Sequence, residues 1–304
     1  MDTGLYDPVL YPLTARARAV SAFHVAADYI SLLKPRVTAL HLFTAAAAML
    51  LASHGPPSVK AFALVLIGGG LTAGASNALN CYFDRDLDAL MERTKTRPLP
   101  AGRLSPRNAL VFGLICGAAG LFLLAWLSMY AAALALAAFA SYALVYTLWL
   151  KSKGGAGTVL SSGIGAVPPL IGWLAVTGHL SITPFLLFGI IALWSPPHFW
   201  SLALSRGEDY RGAGLAVLPG KKPEVWIAAF AVLLISMSLA LIPVAHPGLI
   251  YSITAGLTGL AYFALCLSSV AQPRMSISRL LYVYSIVYLV LLFTAMLAGA
   301  LQAR

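Results

Sequence analysis

The sequence predicts an all-α polytopic membrane protein, a bundle of nine transmembrane helices. Three observations carry that prediction. Hydrophobic residues make up 60% of the chain and charged residues only 10%, with a mean hydropathy of +0.85. A soluble chain of this length needs far more charge to cover its surface. Apolar stretches close to the roughly 20 residues that cross a bilayer recur from end to end. The basic residues fall almost entirely into alternate connections between those stretches.

The nine spans are expected at 37–54, 61–83, 109–127, 130–150, 158–178, 182–204, 224–244, 248–270 and 280–301. The fifth is interrupted by Gly163, Gly165, Pro168, Pro169 and Gly172. Such residues are tolerated in a membrane helix whose neighbours satisfy the freed backbone groups, and they let helices pack closely or bend around a cavity. Ahead of the first span, Val20, Phe23, Ala27, Ile30 and Leu33 recur at helical spacing, which predicts a short helix lying along the membrane surface. The chain therefore divides into a cytoplasmic segment, 1–36, and one transmembrane domain, 37–304, with active-site loops at 84–108 and 205–223. No cleavable signal peptide is expected, because 19–33 carries His24 and Asp28 and lacks a proper apolar core. Asp2 and Asp7 argue against a transit peptide despite Arg16 and Arg18.

With the N-terminus in the cytoplasm, 18 of the 20 Lys and Arg residues lie inside, leaving only Lys60 and Arg304 outside. The net charge of +10 is thus read as topology rather than as affinity for nucleic acid. All ten acidic residues fall on the same side, mostly in the connections after the second and sixth spans, so the chemistry is expected at the cytoplasmic mouth of the bundle. Cys81, Cys116 and Cys266 form no paired motif and read as small packing residues.

The second span ends in Asn80-Cys-Tyr-Phe-Asp84-Arg-Asp-Leu-Asp88. Positions i, i+4 and i+8 drift by only about 80° and climb about 12 Å along an α-helix, so Asn80, Asp84 and Asp88 share one face. Three such side chains at a membrane boundary are costly without a partner. Magnesium suits them, because it takes one or two carboxylates and completes its shell with water and phosphate oxygens. Asp86 points elsewhere. The next segment runs Glu92-Arg93-Thr94-Lys95-Thr96-Arg97-Pro98-Leu99-Pro100-Ala101-Gly102-Arg103. Its cations are placed to neutralise phosphate oxygens that a metal leaves free. A solvated acidic helix end is the plainer alternative.

The run from Asn80 to Gly102 resembles the first aspartate-rich motif of the UbiA-type intramembrane prenyltransferases. That resemblance implies their helical fold, bound Mg2+ and a prenyl diphosphate substrate. Other segments resemble the heme-acting branch of that superfamily, the protoheme IX farnesyltransferases: Lys34-Pro35-Arg36-Val37-Thr38, Pro168-Pro169-Leu170-Ile171-Gly172-Trp173, and Ser195-Pro196-Pro197-His198-Phe199-Trp200-Ser201-Leu202-Ala203 before Glu208-Asp209-Tyr210. The likeness runs from about Leu33 to the last span. Three loop positions depart from it. Ser152 to Thr158 replaces a basic, asparagine-containing stretch, Ala216-Val217-Leu218-Pro219 stands where Pro-Met-Leu-Pro is usual, and Glu208 stands where aspartate is common.

What the resemblance implies is farnesyl transfer from farnesyl diphosphate to a vinyl group of protoheme IX in a bacterial inner membrane, giving heme O. Heme is then a substrate, and a downstream heme-modifying membrane enzyme is a possible partner. On this reading Asp209 joins Asn80, Asp84 and Asp88 at the metal. Arg36, Arg93, Lys95, Arg97, Lys151, Arg206 and Arg211 meet diphosphate. His198, Trp200, His41, Tyr142 and Tyr146 hold heme or steady an allylic cation. For each histidine and tyrosine, ordinary core packing is the competing explanation. His54, His179 and His246 fall towards the outer face and receive no role. Three rival functions remain: prenyl transfer to an aromatic quinone precursor such as 4-hydroxybenzoate, a transporter, and a non-enzymatic heme-binding assembly factor.

Overall fold

The computed structural model describes residues 22–147, 149–212, 214 and 217–302, excluding the side chains at 22, 151, 152, 211 and 302. Val20, Arg16, Arg18 and Arg304 therefore lie outside the described residues. Helix α1 (Ala22–Leu32) precedes α2 (Pro35–Ala52), α3 (Val59–Asp88) and α4 (Pro106–Leu127). Helix α5 (Met129–Ala140) continues as a π-turn over Ser141–Tyr146. Then come α6 (Gly154–Gly165), α7 (Pro168–Thr177), α8 (Ile182–Ser205), the short α9 (Gly207–Gly212), α10 (Pro223–Ala245), α11 (Leu249–Ala271) and α12 (Met275–Gln302). Among the described residues nine segments are long and apolar enough to cross a membrane. The protein is an integral membrane protein.

The elements start where local chemistry allows. Ser58 accepts a hydrogen bond from the Ala61 amide and Ser105 from that of Asn108, with Pro106 at the first helical position of α4. The fifth span is two helices, α6 and α7, meeting at Ala166-Val167. Pro168 and Pro169 bring no amide hydrogens, and their rings clash with carbonyls four residues back, so the chain restarts there. By contrast α8 runs through Pro196 and Pro197 without interruption. Helix α1 leaves Phe23 and Ile30 exposed while Leu32 is buried, consistent with an apolar stripe laid against lipid.

Two packed groups of helices flank a cavity. On one side α8 packs on α10 and α12, with α11 behind, around Trp200, Tyr262, Tyr288 and Phe293. On the other, α3 lies along α4, and α2 along α7, around Met49, Val65 and Leu124. The α3–α4 seam depends on small residues. A β-carbon at Gly120 would meet the Gly68 carbonyl oxygen and the Thr72 hydroxyl, whereas one at Gly165 would meet nothing within 4 Å. Gly120→Val should therefore cost about 2 kcal/mol or more by overpacking, and Gly165→Ala no more than about 0.5 kcal/mol. Thermal unfolding of the detergent-solubilised protein distinguishes the two variants.

Candidate active site

The face of α3 that carries Asn80, Asp84 and Asp88 is turned inward. Asp84 is 9% and Asp88 5% exposed, while Asp86 points outward with its carboxylate 3.6 Å from Arg85. Two cations meet the buried stripe. The Arg97 guanidinium lies 2.7 Å from Oδ2 of Asp88. The Lys34 ammonium donates to Oδ1 of Asn80 at 2.7 Å, and the Asn80 amide donates onward to Asp84 at 2.8 Å and to the Thr147 hydroxyl at 3.3 Å. Lys34 caps α2 in the left-handed region, φ 46°, just ahead of Pro35. Burial pushes its pKa below the ordinary lysine value, against the opposing pull of Asp88 and Asp84.

Asn80 is thus oriented from both ends. Its side-chain oxygen, Oδ1, accepts from Lys34, and a carbonyl oxygen has a second lone pair with which it can also meet a metal. Among the described residues no group of three or more His, Cys, Asp or Glu side chains is arranged to hold a metal by itself. Two carboxylates, Asp84 and Asp88, line the site. That number fits an ion whose remaining ligands come with a phosphate-bearing substrate.

The acidic connections after α3 and after α8 close on one another. Oδ1 of Asp209, on α9, accepts the Glu92 amide at 2.8 Å. Met91 packs with Ala203, Tyr210 and Val217, and Phe199 meets Tyr210 edge-on at 6.2 Å. A third tie binds the loop to α1, where Arg103 grips both oxygens of Asp28 at 3.0–3.2 Å. Behind these ties lies a polar hollow of about 360 Å³, lined by Asp28, Lys34, Asp88, Arg97 and Arg103 among others.

A second, mainly apolar cavity of about 310 Å³ runs between the two helix groups. Val65, Ala135, Phe139 and Ile171 line its apolar length, and Asn77, Tyr142, Tyr146, His41 and His198 bring polar atoms to it. Asn77 lies one helical turn from Asn80, so α3 carries cavity and carboxylates on adjoining turns. Tyr142 and Tyr146 stack at 5.2 Å and 22°, because an i→i+5 turn places residues four apart nearly over one another. His198 stacks on Trp194 at 4.3 Å and 20°.

Several expectations are revised by this geometry. Trp200 does not reach the cavity; it is fully buried and meets Phe230 edge-on at 5.4 Å. Two residues along an α-helix turn the side chain by about 200°, so His198 and Trp200 cannot share a face. Trp194, one turn back, is the tryptophan on the His198 side. Arg36 is exposed, and Lys34 is the cation turned inward. Arg93, Lys95 and Arg206 are exposed, with Lys95 paired to Glu92 at 2.6 Å. The side chains of Lys151 and Arg211 lie outside the described residues. The roles of Lys34 and Trp194 were not anticipated, although the Lys-Pro step and the i,i+4 spacing of 194 and 198 were visible.

A family model described as the UbiA prenyltransferase family matches residues 41–286. The chain belongs to that family. It is a prenyltransferase. A relative from Symbiobacterium thermophilum named protoheme IX farnesyltransferase is 41% identical over 295 residues, covering 95% of this chain and 99% of its own. A solved digeranylgeranylglyceryl phosphate synthase superposes with a TM-score of 0.77 at 19% identity, covering 91% of this chain and 99% of that one. A UbiA homolog from Archaeoglobus fulgidus, bound to DMAPP and Mg2+, gives a TM-score of 0.66 at 17% identity, covering 88% and 99%. These two share the fold of this prenyltransferase.

The Asp209–Glu92 bond ties the loop after α3 to α9. A hydrogen bond to a charged group contributes about 1.5–3 kcal/mol. Asp209→Ala should therefore speed tryptic cleavage after Arg93 and Lys95 by about tenfold or more. Limited proteolysis followed by mass spectrometry checks it.

Proposed function

We propose that this prenyltransferase transfers farnesyl from farnesyl diphosphate to a vinyl group of protoheme IX, giving heme O for terminal oxidase biogenesis. The observation that carries the reading is the junction at the end of α3. A buried carboxylate pair with its cations adjoins an apolar cavity that presents His41 and His198. The names of relatives about 40% identical over nearly the whole chain support the acceptor.

The division of the site matches a substrate that is charged at one end and hydrocarbon at the other. The diphosphate sits at the mouth, and the chain lies along Val65, Ala135, Phe139 and Ile171. Asp84 and Asp88 carry two negative charges, and Lys34 and Arg97 two positive ones. These four are already balanced, so a diphosphate needs further positive charge. A divalent cation held by Asp84 and Asp88, with Asn80 and Asp209 adjoining, would supply it and stabilise the departing diphosphate; Mg2+ accompanies the prenyl diphosphate in the A. fulgidus neighbour.

Arg97 and Lys34 hold the carboxylates in place, and the exposed Arg36, Arg93, Lys95 and Arg206 close over the phosphate oxygens. Cleavage of the C1–O bond leaves an allylic cation facing the Tyr142–Tyr146 stack, whose ring faces favour positive charge. The apolar walls keep water from that carbon. The vinyl group then attacks it, and water adds to the cation so formed and gives up one proton to the released diphosphate, leaving a hydroxyethylfarnesyl side chain. His198 and Trp194 hold the porphyrin.

The bundle lies in a bacterial inner membrane, its N-terminus and active site cytoplasmic and its C-terminus outside. That orientation rests on the segregation of basic residues. Residues 1–36 are the cytoplasmic N-terminal segment, whose described part carries the interfacial helix α1, and 37–304 the transmembrane prenyltransferase domain. The product passes to a heme-modifying enzyme in the same bilayer.

Purified protein given heme, farnesyl diphosphate and Mg2+ should yield a farnesylated heme detectable by mass spectrometry, and no product with 4-hydroxybenzoate. Asp84→Ala and Asp88→Ala should each lower turnover by about a thousandfold while the protein still folds, as its helical circular dichroism reports. Full turnover in either variant contradicts the assignment.

A further inference from the structure

Ser285, on α12, meets two aromatic residues of α8 at once. Its backbone carbonyl oxygen accepts the Trp194 indole N–H at 2.7 Å. Its hydroxyl lies 2.7 Å from Nδ1 of His198 and donates to the Tyr282 carbonyl oxygen, also at 2.7 Å. A hydroxyl has one proton. Because that proton goes to Tyr282, Nδ1 of His198 must supply the proton between it and Ser285. Nδ1 therefore carries hydrogen whether the ring is neutral or charged, and the lone pair of the neutral ring sits on Nε2.

The ring is held in orientation as well. Trp194 stacks on it at 4.3 Å, and Tyr282 lies 4.9 Å away at 33°. His198 and Trp194 line the apolar cavity while Ser285 and Tyr282 do not. The Nδ1 edge is thus turned to α12, and Nε2 is the nitrogen the ring can offer to a cavity occupant. Ser285 itself is fully buried, so its hydroxyl meets no substrate.

We infer that Ser285 is a positioning residue that fixes His198 as the Nδ1–H tautomer, presenting Nε2 as an axial ligand to the iron of the heme substrate. This rests on the heme reading above and deepens it. A metal-bound imidazole ordinarily donates its other N–H to an acceptor that sets tautomer and ring angle, and Ser285 is that acceptor here. Trp194, held through the Ser285 backbone, keeps its bond when the hydroxyl is removed, so the hydroxyl can be tested alone.

The test is a ferric heme titration of the full-length protein, Ser285→Ala, His198→Ala and the double variant, followed by the Soret band and the apparent Kd. The wild type should give an imidazole-ligated spectrum. Ser285→Ala should weaken heme binding about tenfold, shift the Soret band towards that of His198→Ala, and raise the KM for heme but not for farnesyl diphosphate. The double variant should bind heme as His198→Ala does. An unchanged Soret band in Ser285→Ala, or losses that add in the double variant, overturns the inference while leaving the heme reading of His198 intact. An unchanged spectrum in His198→Ala overturns both.

Discussion

Two carboxylates buried where a helix leaves the bilayer are the constraint around which the rest is arranged. Burying Asp84 and Asp88 there is costly without partners. Lys34 reaches one through Asn80, and Arg97 meets the other directly. Lys34 adopts a left-handed backbone just ahead of Pro35. Arg97 needs the loop after α3 to turn back on itself, which it does with Thr94 bonded to the Asp88 carbonyl oxygen and Arg103 bonded to that of Thr96. The local conformation of both segments follows from the demand for charge balance.

The same constraint organises longer distances. A loop that must deliver Arg97 to Asp88 is close enough to be latched by Asp209 and clamped by Asp28. Those ties bring α9 and the surface helix α1 over one end of the bundle. Beneath them the two helix groups stay apart, leaving an apolar cavity, because α6 and α7 break at Pro168 and α5 ends in a π-turn. Irregular backbone at membrane depth is tolerated where it lines a cavity. Fold and site are therefore one arrangement, polar at the mouth and apolar behind it.

Much of this was legible in the chain. Long apolar runs and segregated basic residues specified nine spans, because bilayer thickness and the positive-inside tendency act on composition alone. The i, i+4, i+8 spacing placed Asn80, Asp84 and Asp88 on one face, because helix geometry is fixed. Contacts between distant elements were not legible. Nothing in the sequence indicates that Lys34 turns inward while Arg36 stays outside. Helical phase does separate Trp194 from Trp200, but deciding which face is the cavity required α10 and α12 to be in place. Ser285 carries no local signal, because its importance comes from a partner 87 residues away.

The central claim is that the pocket charges balance without substrate, so that diphosphate binds only in company with a divalent cation. Calorimetric titration of the purified protein with a non-ionising thiolo analogue of farnesyl diphosphate, in Mg2+ and in EDTA, tests it directly. Micromolar binding confined to the Mg2+ titration is the predicted result. Equal affinity in both would contradict the account, because Lys34, Arg97 and the surrounding cations would then suffice on their own.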